Sequence, residues 1–321
     1  MNLRASFLLP LALAGGAFAQ NQQDSFQTPA FLISENGTTF QRVWIVSATK
    51  TNVRYRETEV STKIEDSRIN RFDTVFIQEP PDYAKALDLY QARKYAEAKE
   101  IFTKIKETYR PVATIENNPS TLAAFHEMEC LRKLGDLEGL AAALREFDKS
   151  SLTREYQLRQ IELYLMWEAV RGGNWEQVLK FVEERAKSRL PDDQRAQLAY
   201  CHALALEATD RQQEAVSTYH LAMVADAAAS EEISRQSALK VLAILTAKPE
   251  VKRAIQIWGT PEENKASPGY NQLLEASALA RLYLKSLGGG EPLPEPFKDL
   301  PNFRPAKEPE SGLGAAPPET E

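Results

Sequence analysis

PDYAKALDLYQARKYAEAKEIFTKIKETYRP, residues 81 to 111, reads as two amphipathic helices and the turn that joins them. Ala86 and Leu89, then Tyr95, Ala98, Phe102 and Ile105, fall at the spacings that place apolar side chains on one helical face. Ala92-Arg93-Lys94 is a short joint of the kind that connects antiparallel neighbours, and Pro111 closes the unit. Ala86 and Ala98 are small enough to let two helix axes approach, while Phe102 fills the space beside the crossing.

The same order of small, large and aromatic side chains returns downstream. It is found at Met128, Leu131, Leu137, Leu140, Leu144 and Phe147, around Trp175, at Ala215, Tyr219 and Ala222, and at Val251, Ala254 and Trp258. Aligned on second helices that begin at Tyr95, Leu137, Trp175, Gln212 and Val251, the pattern repeats every 40 residues or so, about the length of a stacked helical hairpin. It resembles the tetratricopeptide repeat (TPR) family over residues 80–260. The first two units match best, while Val178 and Val182 in the third and Gln212 in the fourth depart from the family's small and aromatic positions. Units longer than the family's usual ones imply extended loops at 110–119 and 187–193. The fold class expected is mainly α: a TPR-like α-solenoid of about five helical hairpins plus a capping helix, preceded by a small all-β barrel-like domain.

Residues 1–19 read as a signal peptide, with Arg4 as its charge, an apolar run at 7–14 and Ala17-Phe18-Ala19 as the small-x-small site. The run is too short for a permanent transmembrane anchor. Cleavage is expected between Ala19 and Gln20, giving a periplasmic or secreted protein, with a flexible linker over 20–30. Cys130 and Cys201 fall in the first helices of different units and are expected to be unpaired, buried and hydrophobic in behaviour. A net charge of −6 argues against nucleic acid as a partner.

Between linker and repeats, residues 31–79 change period. Strands are expected at 31–33, 40–46, 53–60, 62–64 and 74–77, with Asn36-Gly37 as a hairpin turn and a single helical turn at 66–69. The arrangement resembles a five-stranded barrel of the Sm-like or SH3-like type. Its seven basic and seven acidic residues balance, which gives no support to nucleic-acid binding here. The solenoid is expected over 80–287, and its capping helix opens at Ser267-Pro268. The stripe of that helix runs through Leu273, Leu274, Ala276, Ala280, Leu284 and Leu287, and Gly288-Gly289-Gly290 stops it. Residues 288–321 hold eight of the 18 prolines and seven acidic against three basic residues, so a disordered Pro-rich acidic tail is expected there. Phe297, Leu300 and Phe303 are its apolar exceptions.

The sequence contains no nucleophile elbow, phosphate loop or zinc-protease motif. His126 and Cys130 share a helical face, but zinc needs three or four ligands, so they read as an ordinary helix face. No catalytic residue, cofactor or metal ligand is assigned, and a non-enzymatic protein is expected. The TPR resemblance implies a concave groove lined by the first helix of each unit. Carried over to this chain, its residues are Tyr83, Tyr90, Phe125, Arg132, Lys133, Trp167, Arg171 and Tyr200. Aromatic anchors beside basic groups suit a protein or peptide segment with apolar side chains and an acidic group. An exported scaffold or adaptor in a bacterial envelope complex is the function expected. The alternative is an envelope structural protein that binds peptidoglycan or another polysaccharide, its aromatics stacking on sugar rings.

Overall fold

The computed structural model describes residues 26–34, 37–185, 187–227 and 229–305. The signal-peptide segment 1–19, Asn36 of the expected turn and residues 306–321 lie outside them. The described chain is mainly helical, with one five-stranded antiparallel sheet at its N-terminal end. It divides between Tyr164 and Leu165 into two compact units.

The first unit holds the sheet: β1 (Thr28–Ser34), β2 (Thr39–Ala48), β3 (Asn52–Arg56), β4 (Glu65–Arg68) and β5 (Thr74–Ile77). The spatial order is β4-β3-β2-β1-β5, which leaves β4 and β5 as the two edges. β1 begins before the expected boundary, because Thr28 and Ala30 already point into the core. β3 ends at Arg56, well before residue 60, and the strand expected at 62–64 lies instead at Glu65–Arg68. Asn52 pins it there, its Nδ2 donating to Asp66 Oδ1 at 2.7 Å beside the Asn52↔Arg68 pair. A short polar edge strand carries no apolar alternation, so periodicity has nothing to detect. The helical turn expected at 66–69 is a 3₁₀ turn at Ile69–Arg71. A register shift between Ile45 and Ser47 lets Ile45 and Val46 both be buried, as a bulge does.

Five helices follow: α1 (Pro81–Gln91), α2 (Tyr95–Thr108), α3 (Pro119–Leu134), α4 (Leu137–Glu146) and α5 (Glu155–Arg171). The division between the units falls inside α5. α1 packs on α2 and α2 on α3, with Ala86, Ala98 and Phe102 fully buried as their spacing requires. Gly135 (φ +74°) takes the left-handed conformation that ends α3, and Asp136 Oδ1 then accepts the Gly139 N–H at 2.9 Å to start α4.

The long loop after α2 has a structural task. Val112 and Ile115 are buried in one core with Ala30, Leu32, Val43, Ile45, Val53, Tyr55 and Ile77. The 3₁₀ turn Arg110–Val112 therefore closes the inner face of the sheet. Phe26 adds an edge-on contact to Tyr109 at 5.6 Å. Asn118 locks the far end of the loop. Its Nδ2 donates to the carbonyls of Ala113 and Ile115, and its Oδ1 caps α3 through the Thr121 N–H. Ser151 Oγ adds a bond to the Ala113 carbonyl at 2.8 Å.

The second unit comprises the end of α5 with α6 (Trp175–Arg185), α7 (Asp192–Ala208), α8 (Gln212–Ala225), α9 (Glu231–Ala247), α10 (Pro249–Ile257) and α11 (Pro268–Leu282). Sequential neighbours pack from α6 through α9, and α11 packs on both α9 and α10. Ala203, Ala215 and Ala222 are fully buried, consistent with small residues at close crossings. At the start of α11 a Cβ on Gly269 would overlap the Glu250 carbonyl, so only glycine permits this approach.

Residues 288–305, expected as the beginning of a disordered tail, fold back on α11. Leu293, Phe297 and Leu300 are buried, and Phe303 meets Trp258 edge-on at 5.3 Å. Trp258 in turn stacks on Tyr270 at 5.2 Å. Ser277 Oγ donates to the Phe303 carbonyl at 2.5 Å and accepts from Arg281 Nη1 at 2.6 Å. Three apolar anchors offset the ordering of this stretch, and its prolines leave fewer N–H groups in need of partners.

Candidate functional site

The residues assigned to a groove are mostly interior. In the first unit Tyr83, Phe125 and Arg132 are buried, while Tyr90 and Lys133 are half-buried. The three aromatics surround His126, which stacks on Phe102 at 5.1 Å and meets the rings of Tyr83, Phe125 and Tyr90 at 6.0, 5.5 and 6.1 Å. Burial lowers the imidazole to about 4 and keeps it neutral at ordinary pH. In the second unit Trp167 and Tyr200 are buried, with ring centres 5.9 Å apart. Trp167 Nε1 donates to Gln197 Oε1 at 3.1 Å, and Tyr200 packs on Tyr219 at 5.8 Å. Arg171, half-buried, grips Glu168 with two bonds of 2.8 and 2.7 Å. The five aromatics assigned to the groove are thus largely core packing: side chains of this size at a helix crossing are worth more inside than in water.

Arg132 is buried because it serves Glu129. The Glu129 carboxylate accepts from Tyr164 Oη at 2.5 Å, Tyr90 Oη at 3.2 Å, and Arg132 Nε and Nη2 at 3.3 and 3.2 Å. Four donors fill the acceptor sites of a carboxylate. Burial alone would raise its pKa, but the Arg132 charge, the bonds from Arg132 and Tyr164 and the nearby Lys133 hold it at about 2. This is an internal ion pair that fixes α3, α5 and α1 to one another within the first unit, with no face turned to a ligand.

An open cleft of about 580 Å³ lies between α2, α3 and α4. Its charges answer one another: Lys106 Nζ meets Glu127 at 2.8 Å and Glu107 at 3.7 Å, and Arg110 meets Glu107 at 3.8 Å. Thr103 Oγ1 also donates to Glu127 at 2.7 Å. His126 and Cys130 do not form a metal centre with a third group, and among the described residues no set of three His, Cys, Asp or Glu side chains is placed to hold a metal ion. Cys130 and Cys201 are buried and form no disulfide, and burial with the charges of Glu129 and Glu127 pushes the Cys130 thiol up to about 12.

Exposed aromatic and arginine side chains gather on the outer face of the sheet, outside the groove positions assigned from the sequence. Thr28, Ala30, Leu32, Val43, Ile45, Val53, Tyr55 and Ile77 are buried, so their alternate neighbours occupy the opposite face. The register places Phe31 between Phe76 and Arg42, Phe40 opposite Ile33, and Trp44 between Pro29 and Arg56. Phe40 is 66 % exposed and Phe76 53 % exposed. Phe31 and Phe76 lie 6.5 Å apart, and the Arg42 guanidinium sits 5.1 Å over the Trp44 ring. Arg54 and Arg68 continue the face across β3 and β4, with Asp66 opposite Arg54. The signal was present in the sequence. A sheet with one solvated face alternates apolar and polar residues, yet Phe31-Leu32-Ile33 is apolar on both faces.

Comparison with known proteins finds no matching family model, no matching curated protein and no matching solved structure.

Proposed function

We propose that the chain is an exported, non-enzymatic scaffold of TPR type, its hairpins stacked as a solenoid, that holds a segment of another protein in an envelope complex. One observation carries the binding part of this reading: aromatic and arginine side chains share the exposed outer face of the sheet. Aromatic residues and arginine are the types enriched at protein interfaces and at their energetic centres. A solvated sheet face without a partner would present threonine, lysine or glutamate at the positions of Phe40 and Phe76. The docking surface is accordingly assigned to the sheet, since most of the groove residues are occupied in packing.

The test is capture from an envelope extract with the mature chain, from Gln20 onward, beside a Phe40→Ser/Phe76→Ser variant. Both substitutions fall on exposed side chains, so the thermal midpoint should move little, within about 4 °C. A partner retained by the parent chain and lost by the variant is the expected result. Equal capture by both would remove the sheet face from the function. Cosedimentation with cell-wall sacculi that is lost in the same variant would assign the face to a polysaccharide.

A further inference from the structure

The outer face of the sheet is graded, and the grading selects a partner. Phe76 on β5, Phe31, Ile33 and Pro29 on β1, and Phe40 on β2 make one side apolar. Arg42 and Trp44 stand in the middle of the face, on β2. Arg54 and Arg56 on β3 and Arg68 on β4 make the other side basic, with Asp66 as the acidic residue among these outward strand positions. The segment's charges balance in number, yet the strand register collects four arginines on one surface of a chain whose net charge is −6. Like charges gathered this way repel, a cost that an anionic partner relieves.

From this arrangement we infer that the sheet face docks an extended acidic protein segment, which lies across the strands with its apolar side chains toward β5 and its carboxylates toward β4. The inference rests on the docking role proposed above and adds the chemistry and direction of the occupant. Four strand spacings separate β4 from β5, about 19 Å, and an extended chain advances about 3.3 Å per residue. The register also sets Arg56 about two residues, roughly 7 Å, along the strands from the level of Phe76, and Arg68 about seven, so a segment of roughly six residues reaches from Phe76 to the arginines of β3. Its aromatic or aliphatic end packs on Phe31, Phe40 and Phe76. Its acidic end meets Arg56 and Arg54 on β3, where bidentate guanidinium–carboxylate pairs form. Arg56 already donates to Gln27 Oε1 at 3.1 Å and keeps further N–H groups for such a pair.

The experiment uses the mature chain from Gln20 and three fluorescein-labelled probes: the hexapeptide Phe-Leu-Ser-Ser-Glu-Glu, its counterpart ending Lys-Lys, and a thymidine hexanucleotide. Anisotropy titrations at low salt should show the acidic peptide binding at least about tenfold tighter than the basic one. An Arg42→Glu/Arg54→Glu variant, altered only at exposed side chains, should reverse that preference, a switch that loss of folding does not produce. Phe40→Ser/Phe76→Ser should weaken both peptides roughly tenfold. Equal affinity for the two peptides, no peptide binding, an unreversed preference in the charge-swapped variant, or tighter binding of the oligonucleotide would each overturn the inference. Extract capture run on the same Phe variant separates the two failures. Capture lost without peptide discrimination leaves the docking face standing and the assigned chemistry wrong, whereas unchanged capture removes the face itself.

Discussion

His126 and Glu129 stand one turn apart on α3, and both are ionisable groups taken out of water, with opposite consequences. Burial holds the folded imidazole near 4 against its ordinary 6.5. The unfolded chain therefore takes up the proton first as pH falls. Stability from this group is complete above about pH 6.5 and declines toward pH 4, by on the order of 3 kcal/mol in all. Glu129 is held near 2 against 4.5, so its contribution is complete above pH 4.5 and is lost as pH falls toward 2. Denaturant melts of the parent chain should accordingly weaken in two windows. A His126→Phe variant, which keeps the stacking on Phe102, should flatten only the upper one. An upper window that survives this substitution would assign it to another group. The partner of Glu129 gives a second prediction. Arg132→Met leaves a buried carboxylate without its cation and should cost about 3 kcal/mol. Glu129→Gln with Arg132→Met should recover part of that loss, because no buried charge is left, the amide oxygen still accepts from Tyr164 and the amide NH2 can donate to the Tyr90 oxygen. A double variant no more stable than Arg132→Met alone would mean that the charge is not what the pair contributes. None of this polar network was legible in the sequence. Arg132 lies in a helix, as its spacing predicts, but helical position alone does not distinguish a side chain that faces a groove from one that turns inward to a carboxylate.

Elements were legible where their pattern was long and periodic. The hairpin at 81–111 appears as α1 and α2 with Ala86, Ala98, Phe102 and Ile105 buried and Leu89 and Tyr95 half-buried, because an apolar stripe leaves water by turning to a neighbouring helix. β4 was missed because it is short, polar and held by Asn52 and Asp66 rather than by an apolar face. Residues 288–305 were missed for a different reason. Composition averaged over the tail outweighed its apolar exceptions Phe297, Leu300 and Phe303, which with Leu293 each find a place on the second unit. Truncation after Gly288 should uncover Trp258 and Tyr270, shift tryptophan emission to the red and lower the melting temperature, and an unchanged melt would show the fold-back contributes nothing. The start of α11 is a sharper case. Gly269→Ala drives a methyl group into the Glu250 carbonyl and should cost about 1–3 kcal/mol by overpacking. The same change at Gly172, where the nearest atom lies at an ordinary 3.5 Å, should be close to neutral. Equal effects at the two sites would mean that α11 can move away from α10 without penalty.

At the scale of the molecule, the domain boundaries read from the sequence and the packing units of the structure are different divisions. Composition separates a β-segment at 31–79 from helices that begin at Pro81, and secondary structure agrees with that boundary. The core does not. Val112 and Ile115 belong to the loop after the first helical hairpin, yet they complete the apolar layer under the sheet, and Tyr109 covers Phe26. A period of helical hairpins explains why a loop exists after α2, but it is silent about what that loop touches, since the shared core joins residues up to 85 positions apart with no repeat to announce it. The sheet alone is about 50 residues, near the size at which a single core fails to offset chain entropy. A fragment of residues 26–79 should therefore lack near-ultraviolet dichroism and cooperative melting, whereas residues 26–171, which add α1 to α5 and the loop with Val112, Ile115 and Asn118, should show both. Ile115→Ala in the longer fragment should cost about 2–5 kcal/mol, as cavity formation in a packed core does. The proposed docking face depends on the same loop, because flattening the inner layer would disturb the register that gathers Arg42, Arg54, Arg56 and Arg68. Loss of the charge preference in an Ile115→Ala chain that remains mostly folded is the expected companion result, and a preference that persists would show that the strands hold their register without it.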